Sequence, residues 1–183
     1  KSYAIVVRDP QGRIRGFSTV GQSRMQSSIG MIEVLFSGDT VVDRSFWGEQ
    51  TLPFTWIEEA GRIKAARRDV PLYWLLITKG DRTFRYLPGF AKADFPGPAP
   101  DLHGLRNEIG RQLFGERFED RTGILRPDRE FPTALRPEFA GLDQTRLGTP
   151  HVQAFLAQNP GHAQGEELVC LCELGAENLR PRA

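Results

Sequence analysis

The chain contains 183 residues, of which 24 are Lys or Arg and 23 are Asp or Glu, so its formal net charge at pH 7 is +1. This length suits one domain that buries a core without disulfides or metal ions. The even charge balance excludes a global field that would attract nucleic acid or an anionic membrane, and no apolar run approaches the roughly 18 residues of a membrane-spanning helix. The chain opens on a strand pattern without a signal peptide, which favours a cytoplasmic protein.

Alternating apolar residues predict a β-hairpin at the start of the chain. Tyr3 to Arg8 and Arg13 to Val20 are its strands, and Asp9-Pro10-Gln11-Gly12 is its turn. A long strand is predicted from Met31 to Val42. Ser37-Gly38-Asp39 interrupts the alternation of this strand, as a β-bulge does.

The next segment predicts a strand that passes through a tight turn into a helix. Thr40-Val41-Val42 leads into Asp43-Arg44-Ser45-Phe46-Trp47-Gly48, and the helix is predicted from Pro53 to about Arg68. Such a turn directs unpaired backbone N–H groups of the helix start toward one point, which is a common way to bind phosphate. One side of this helix is formed by Phe54, Ile57, Gly61 and Lys64. We expect Gly61 to allow close packing against a sheet.

The second half of the chain predicts an α/β protein with a mixed sheet. Leu72 to Thr78 is continuously apolar, which indicates a central strand parallel to its neighbour across the helix. A basic turn and a loop rich in Pro and Gly (residues 88–100) follow, and then an amphipathic helix from Leu102 to Leu113. Thr149-Pro150 opens a short helix, and Leu168 to Leu174 is a last strand.

These elements are expected to form one domain over residues 1–183. Residues 1–90 form the core with a cofactor loop, residues 91–148 an irregular insert with one helix, and residues 149–183 a C-terminal helix and strand. Cys170 and Cys172 are the only cysteines, and we expect two buried, reduced thiols on one face of a strand. Two such ligands do not make a metal site.

Three local matches resemble the GNAT superfamily of N-acyltransferases. Val6-Val7-Arg8-Asp9-Pro10-Gln11-Gly12-Arg13-Ile14-Arg15-Gly16-Phe17 resembles the family's apolar strand followed by D-x-x-G and I-x-G-F. Val42-Asp43-Arg44-Ser45-Phe46-Trp47-Gly48 resembles its V-x-P-x-Y-R-G entry to a pyrophosphate loop. Tyr86-Leu87-Pro88-Gly89-Phe90 resembles its Y-x-x-x-G-F. Several further runs, such as Asn159-Pro160-Gly161-His162, resemble an uncharacterised bacterial branch of GNAT-like proteins.

The resemblance implies a fold, a cofactor and a set of binding residues. The implied fold is a mixed, mostly antiparallel sheet with helices on both faces and a splayed central strand pair. The implied cofactor is acetyl-CoA or another acyl-CoA. The residues implied in its binding are Val41, Val42, Phe46, Trp47, Gly48, Glu49, Gln50, Thr51, Leu52 and Thr78.

The candidate loop departs from the family pattern at several positions. Trp47 stands in the arginine position of Q/R-x-x-G-x-G/A, and Gln50 and Leu52 stand where glycines are usual. A phosphopantetheine arm on an acyl carrier protein would require less from this loop than CoA does, so both donors stay open. The family's first strand and first two helices have no counterpart after Lys1, so they lie upstream or the acceptor site is built otherwise.

Transfer from a thioester to an amine requires a base for the amine proton and an acid for the leaving thiolate. By resemblance, Tyr86 is the acid. Asp39 and Glu33, in and before the predicted bulge, are the candidate bases, directly or through water. Each of these side chains also fits an ordinary structural or solvated role.

Two other classes of protein fit parts of the pattern. The first is a catalytically silent GNAT-like binding or scaffold module, which the altered glycine loop favours. The second is a nucleic-acid-binding domain that uses the Arg62–Arg68 and Lys79–Arg85 clusters with Phe84 and Tyr86 as stacking rings. The charge balance argues against nucleic acid as a partner, a membrane is excluded, and a homodimer stays open.

Overall fold

A computed structural model describes residues 3–94, 96–97, 102–128 and 147–181. The strands in these ranges are β1 (Tyr3–Arg8), β2 (Ile14–Ser27), β3 (Gly30–Val42), β4 (Leu72–Thr78), β5 (Phe118–Glu119), β6 (Ile124–Leu125) and β7 (Glu167–Glu173). The α-helices are α1 (Thr51–Ala66), α2 (Asp81–Phe84), α3 (Tyr86–Phe90), α4 (Leu102–Phe114) and α5 (Pro150–Gln158). None of the helices in the described ranges is long and apolar enough to cross a membrane.

The described strands follow the order β1-β2-β3-β4-β7-β6-β5, and the pairs β1/β2, β2/β3, β5/β6 and β6/β7 are antiparallel. Strand β4 begins parallel to β3. The Glu33 N–H donates to the Pro71 carbonyl at 2.9 Å, and further along both strands the Trp74 indole N–H donates to the Ser37 hydroxyl at 2.8 Å. The predicted mixed α/β class with a mostly antiparallel sheet is therefore confirmed. The placement of helices on both faces and the splay of the central pair stay predictions.

The chain divides into two compact units. The first comprises Lys1–Leu75 and Glu173–Glu177, and the second comprises Leu76–Cys172 and Asn178–Ala183. Strand β4 contributes residues to both units, and the organisation as a single domain stays a prediction. The expected insert at 91–148 contains α4, β5 and β6, and its residues 129–146 lie outside the described ranges.

In the first unit, the predicted hairpin and bulge are both present. The Asp9 carboxylate accepts the N–H groups of Gln11 and Arg13 at 3.0 and 2.9 Å, which closes the turn between β1 and β2. Between β2 and β3, Val20 lies opposite Ser37 whereas Ser18 lies opposite Thr40. Strand β3 therefore holds one extra residue within the predicted Ser37-Gly38-Asp39 segment, which is a β-bulge.

Helix α1 begins two residues before the predicted start, so Pro53 is its third residue. The first N–H groups of a helix have no partner inside the helix, and proline there sacrifices no hydrogen bond. Trp56 and Ala60 are the buried residues of α1, whereas Gly61 is exposed with open space around it. The expectation that Gly61 packs closely against a sheet is wrong, because the bulky indole of Trp56 sets which side of the helix is buried.

Two tryptophans form the aromatic centre of the first unit. The rings of Trp56 and Trp74 lie 4.4 Å apart between centroids, and both residues are buried. An aromatic contact of this kind adds about 0.5–1.5 kcal/mol beyond the burial of apolar area. This ring contact joins α1 to β4, and the Trp74–Ser37 hydrogen bond joins β4 to the bulge of β3. The core thus fixes the strand that leads into the candidate loop.

The second unit is built around a buried arginine. Arg106 of α4 is 0% exposed, and its guanidinium lies 5.4 Å from the Phe118 ring centroid. Burial lowers the pKa of Arg106 to about 10, so the side chain is still charged at neutral pH. Gly123, with φ +75°, lies directly against this guanidinium, and a Cβ at that position would collide with it. A glycine is therefore required there by both space and backbone conformation.

After β4 the chain forms the short helices α2 and α3 rather than the predicted basic turn and loop. Pro88 is the third residue of α3, where it requires no hydrogen-bond partner. Phe84 is 5% exposed and packs against Phe155 of α5, with ring centroids 5.7 Å apart. The segment is helical because Phe84 and Leu87 are buried, which the sequence alone did not indicate.

The C-terminal elements agree with the predictions. Helix α5 begins at Pro150, as predicted. Strand β7 begins and ends one residue earlier than the predicted strand. Neither Cys170 nor Cys172 forms a disulfide, and both are buried. Burial raises the pKa of the Cys170 thiol well above its ordinary value, so the thiol stays protonated and unreactive at neutral pH.

Candidate functional site

The candidate cofactor loop is held by a carboxylate at the end of β3. Asp43 precedes a 3₁₀ turn over Arg44–Phe46, and its Oδ1 accepts the N–H and the hydroxyl of Ser45 at 3.0 and 2.7 Å. These hydrogen bonds from Ser45, followed by one from Arg15, hold the pKa of Asp43 below its ordinary value. The loop conformation therefore depends on an ionised Asp43.

Arg15 links this loop to the first hairpin. Its guanidinium binds Asp9 at 2.9 Å and Asp43 at 3.1 Å, and it lies 5.3 Å from the Phe46 ring centroid. Hydrogen bonding to Asp9 raises the pKa of Arg15. Because one cation bridges two carboxylates, the base of the loop is held together and Arg15 presents no unpaired positive charge.

The backbone N–H groups of the loop fall into two sets. Those of Phe46, Trp47 and Glu49 donate within the loop, to the carbonyls of Asp43, Arg44 and Phe46. A second set donates to no acceptor in the described part of the chain; it comprises the N–H groups of Gly48, Gln50, Thr51 and Leu52. The predicted loop thus carries unpaired donors, and they lie at Gly48 and around the first residues of α1.

Gly48 makes this arrangement possible. Its φ is +99°, a conformation that side chains with a Cβ rarely adopt, and nothing lies within 4 Å of where a Cβ would stand. The surrounding space is open to a ligand. The side chain of Gln50 folds back to donate to the Gly48 carbonyl at 3.0 Å. Glu49 is exposed, as are Thr51 and Val41, whereas Val42 and Leu52 are half-buried.

Glu33 lies apart from this open surface, in a buried ionic cluster. Its Oε1 accepts from Arg67 at 3.1 Å and from Gln22, and Arg24 lies 3.9 Å away. Glu33 as a whole is 2% exposed. A buried carboxylate whose oxygen is already engaged by Arg67 and Gln22 is poorly placed to meet a substrate amine, so these contacts favour a structural role.

Asp39 occupies a different environment on the same strand. It lies in the bulge of β3 and is exposed, and its backbone carbonyl accepts the Thr19 hydroxyl at 3.5 Å. A carboxylate at a bulge is directed differently from its neighbours on a regular strand. Its proposed role as a base stays a prediction.

The two remaining candidates belong to the second unit. Tyr86 is the first residue of α3, is half-buried, and stacks on Phe90 with ring centroids 6.3 Å apart. Thr78 is buried at the end of β4, where its hydroxyl donates to the Gly80 carbonyl at 2.8 Å and accepts the Gly80 N–H at 3.1 Å. Thr78 thus closes the turn into α2, and its role in cofactor binding stays a prediction.

The alternative nucleic-acid surface loses one of its components. Phe84 packs against Phe155 and is buried, so it presents no face on which a base can stack. Lys79 lies 3.5 Å from Glu167, which neutralises part of the basic turn. Tyr86 is the remaining aromatic candidate of that cluster.

Sequence reasoning missed the residues that hold the loop in place. An Asp two residues before a Ser is a common signal for a turn in which the Asp side chain accepts backbone N–H groups, and Asp43-Arg44-Ser45 carries it. The pairing of Asp43 with Arg15 had no such signal. It depends on the register of β2 against β3, which places Gly16 opposite Val42.

No protein-family model and no curated protein matches the chain. Among solved structures, a mutant of the AtaT toxin bound to the C-terminus of the antitoxin AtaR and acetyl-CoA is 19% identical, with a TM-score of 0.36. This match covers 49% of the present chain and 59% of that chain. A structure of AtaT complexed with acetyl-methionyl-tRNAfMet is 17% identical, with a TM-score of 0.35, and covers 48% and 61% of the two chains.

Proposed function

We propose that the protein is an N-acyltransferase that moves an acyl group from acyl-CoA, or from a thioester on a carrier protein, to an amine. One observation carries the proposal. The bulged strand β3 ends in a clamped turn, and the next helix begins with unpaired N–H groups at Gly48, Gln50, Thr51 and Leu52. This is a site for the phosphates of an acyl donor.

The physical basis is the positive end of a helix. The first N–H groups of α1 have no acceptor, and the aligned peptide dipoles place about half a positive charge at this end. A pyrophosphate supplies oxygen acceptors for these N–H groups and negative charge that the helix dipole stabilises. Because Asp43 fixes the turn before the ligand arrives, little order has to be gained on binding.

The proposed reaction is a direct transfer. The amine nitrogen attacks the thioester carbonyl carbon, a C–N bond forms and the C–S bond breaks. The amine proton goes to a base, for which the exposed Asp39 is the better candidate than the ion-paired Glu33. The leaving thiolate takes a proton from an acid, the role proposed for Tyr86.

Calorimetric titration with CoA and acetyl-CoA tests the cofactor loop. We expect micromolar binding by the wild type and its loss in Gly48→Asp, which adds a negative charge and strains a residue at φ +99°. Gly12→Asp is the matched control, since Gly12 also has a positive φ (+80°) in an open turn but lies in the first hairpin. The control should bind as the wild type does. Equal loss in both variants, or no binding by the wild type, would contradict the proposed site.

A catalytically silent binding module is the second candidate. It is favoured by the hydrogen bonds that the N–H groups of Phe46, Trp47 and Glu49 donate within the loop. These three groups are not available to a phosphate. Turnover of an acyl thioester with a panel of amines separates the two candidates. If the protein is an enzyme with Tyr86 as the acid, Tyr86→Phe lowers turnover at least about 100-fold without changing CoA affinity. CoA binding with no turnover of any amine favours the silent module.

A further inference from the structure

The candidate loop displays an aromatic ring in a fixed orientation. Trp47 directly precedes Gly48, and 45% of its surface is exposed, more than for most large apolar side chains. Its indole N–H donates to the Val42 carbonyl at 3.0 Å. The hydrogen bond fixes the edge of the ring, and nearly half of the residue's surface stays in contact with solvent. Exposed indole area is unfavourable in water, and a ligand that covers it gains that free energy.

A cation accompanies this ring. The Arg44 guanidinium lies 5.8 Å from the Trp47 ring centroid, and it has no carboxylate partner in the described part of the chain. Arg15 offers a contrast in the same loop, because it stacks on Phe46 but is neutralised by Asp9 and Asp43. Arg44 is therefore the cation of this segment that can pair with an anionic ligand without first leaving a carboxylate.

We propose that Trp47 and Arg44 bind the nucleotide end of the acyl donor, with the purine stacked on the indole and a ribose phosphate paired with the guanidinium. An indole plane beside an uncompensated guanidinium matches the two features of a purine nucleotide, a flat aromatic base and a localised negative charge. The inference rests on the proposed function, since it places the nucleotide next to the N–H groups that start at Gly48. It also distinguishes the donors, because CoA carries a nucleotide and a carrier-protein arm does not.

Affinities for three ligands test the proposal: CoA, dephospho-CoA, which lacks the ribose 3′-phosphate, and 4′-phosphopantetheine, which lacks the nucleotide. We expect Trp47→Ala to weaken CoA binding about tenfold, in line with the cost of removing a stacking ring. Trp47→Phe, which keeps a ring, should lie between wild type and Trp47→Ala. Arg44→Gln should weaken CoA about fivefold and dephospho-CoA by less than about twofold.

The ligands and variants separate the possible results. Equal affinity of the wild type for CoA and phosphopantetheine, unchanged in Trp47→Ala, would overturn the inference and leave the proposed function in place. Binding of none of the three ligands by the wild type would instead contradict the proposed function. Ile29→Ala is the control for loss of an exposed apolar side chain, since Ile29 is 58% exposed in the turn between β2 and β3. Its affinities should equal those of the wild type, and a similar loss there would also overturn the inference.

Discussion

Asp43 controls the candidate loop through its charge. Its pKa is lowered by the hydrogen bonds from Ser45 and then by Arg15, so the folded loop favours the ionised form. The stabilisation is fully present above the unfolded pKa of about 3.9 and disappears as the pH falls through the lower folded pKa. We expect CoA affinity to fall in acid with this titration and Asp43→Asn to bind weakly at every pH, without that acid-dependent step. Calorimetry from pH 7 down to about 2, through the lowered pKa of Asp43, measures this, and an acid profile identical in both proteins would refute the assignment.

Glu33 illustrates how burial decides between catalysis and structure. Glu33→Gln removes the charge that Arg67 and Arg24 face, and we expect it to lower the free energy of unfolding by about 1–3 kcal/mol. Glu58→Gln is the control, because Glu58 pairs with Arg62 on the surface of α1 at 2.7 Å and should cost no more than about 0.5 kcal/mol. Urea denaturation gives both values. If Glu33→Gln unfolds like the wild type but loses turnover about 100-fold or more, Glu33 is a base after all.

At the scale of the elements, two helix glycines give opposite predictions. Gly61 of α1 has open space around it, so Gly61→Ala should stabilise the protein by about 0.5–1 kcal/mol. Gly110 of α4 lies beneath the Phe118 ring, whose atoms would be 2.6–2.7 Å from an added Cβ. Gly110→Ala should therefore destabilise it by about 1–3 kcal/mol through overpacking. Thermal and urea unfolding of the two variants measure the change in the free energy of unfolding. Destabilisation by Gly61→Ala would support the close packing of Gly61 that the sequence suggested.

The elements were predictable where local chemistry alone determines them. The Asp9–Gly12 turn, the bulge after Ser37 and the helix start at Pro150 are signalled by residues within a few positions of each feature. The buried side of α1 was not predictable in this way. It is set by the contact of Trp56 with Trp74, which lies in the following strand. Helices α2 and α3 were missed for a similar reason, since Phe84 is ordered by Phe155 of a later helix.

The candidate site divides along the same line. The turn at Gly48 and the unpaired N–H groups after it follow from one glycine and a helix start, so the sequence predicts them. The ion pair of Arg15 with Asp43 and the burial of Glu33 depend on strand register and on residues far away in the chain. Exposure is likewise a property of the folded chain. The sequence therefore shows that Trp47 departs from a motif, but not that its side chain is partly exposed.

At the scale of the whole molecule, charge is balanced in total, and each basic cluster contains cations that are paired with carboxylates. In the first unit Arg62 pairs with Glu58 and Glu59, and Arg67 pairs with Glu33. In the second unit Lys79 pairs with Glu167. Cations that already have carboxylate partners displace few counterions when they approach a phosphate backbone. We therefore expect the molecule to bind a nucleic acid strand weakly, which is a separate matter from the single nucleotide proposed to bind at the loop.

This balance predicts weak and weakly salt-dependent binding to single-stranded RNA or DNA. Full engagement of the seven Lys and Arg side chains at positions 62–68 and 79–85 would give a slope of log K against log salt of about −5, at about −0.7 per phosphate. We expect a slope no steeper than about −3 when fluorescence anisotropy is measured from 50 to 200 mM salt, because three of the seven cations already pair with carboxylates. Reversal of the Lys79–Glu167 pair by Glu167→Lys, which removes a carboxylate and adds a cation, should steepen it. A slope near −5 in the wild type would show that the ion pairs open on contact with the strand and would return nucleic acid to the list of partners.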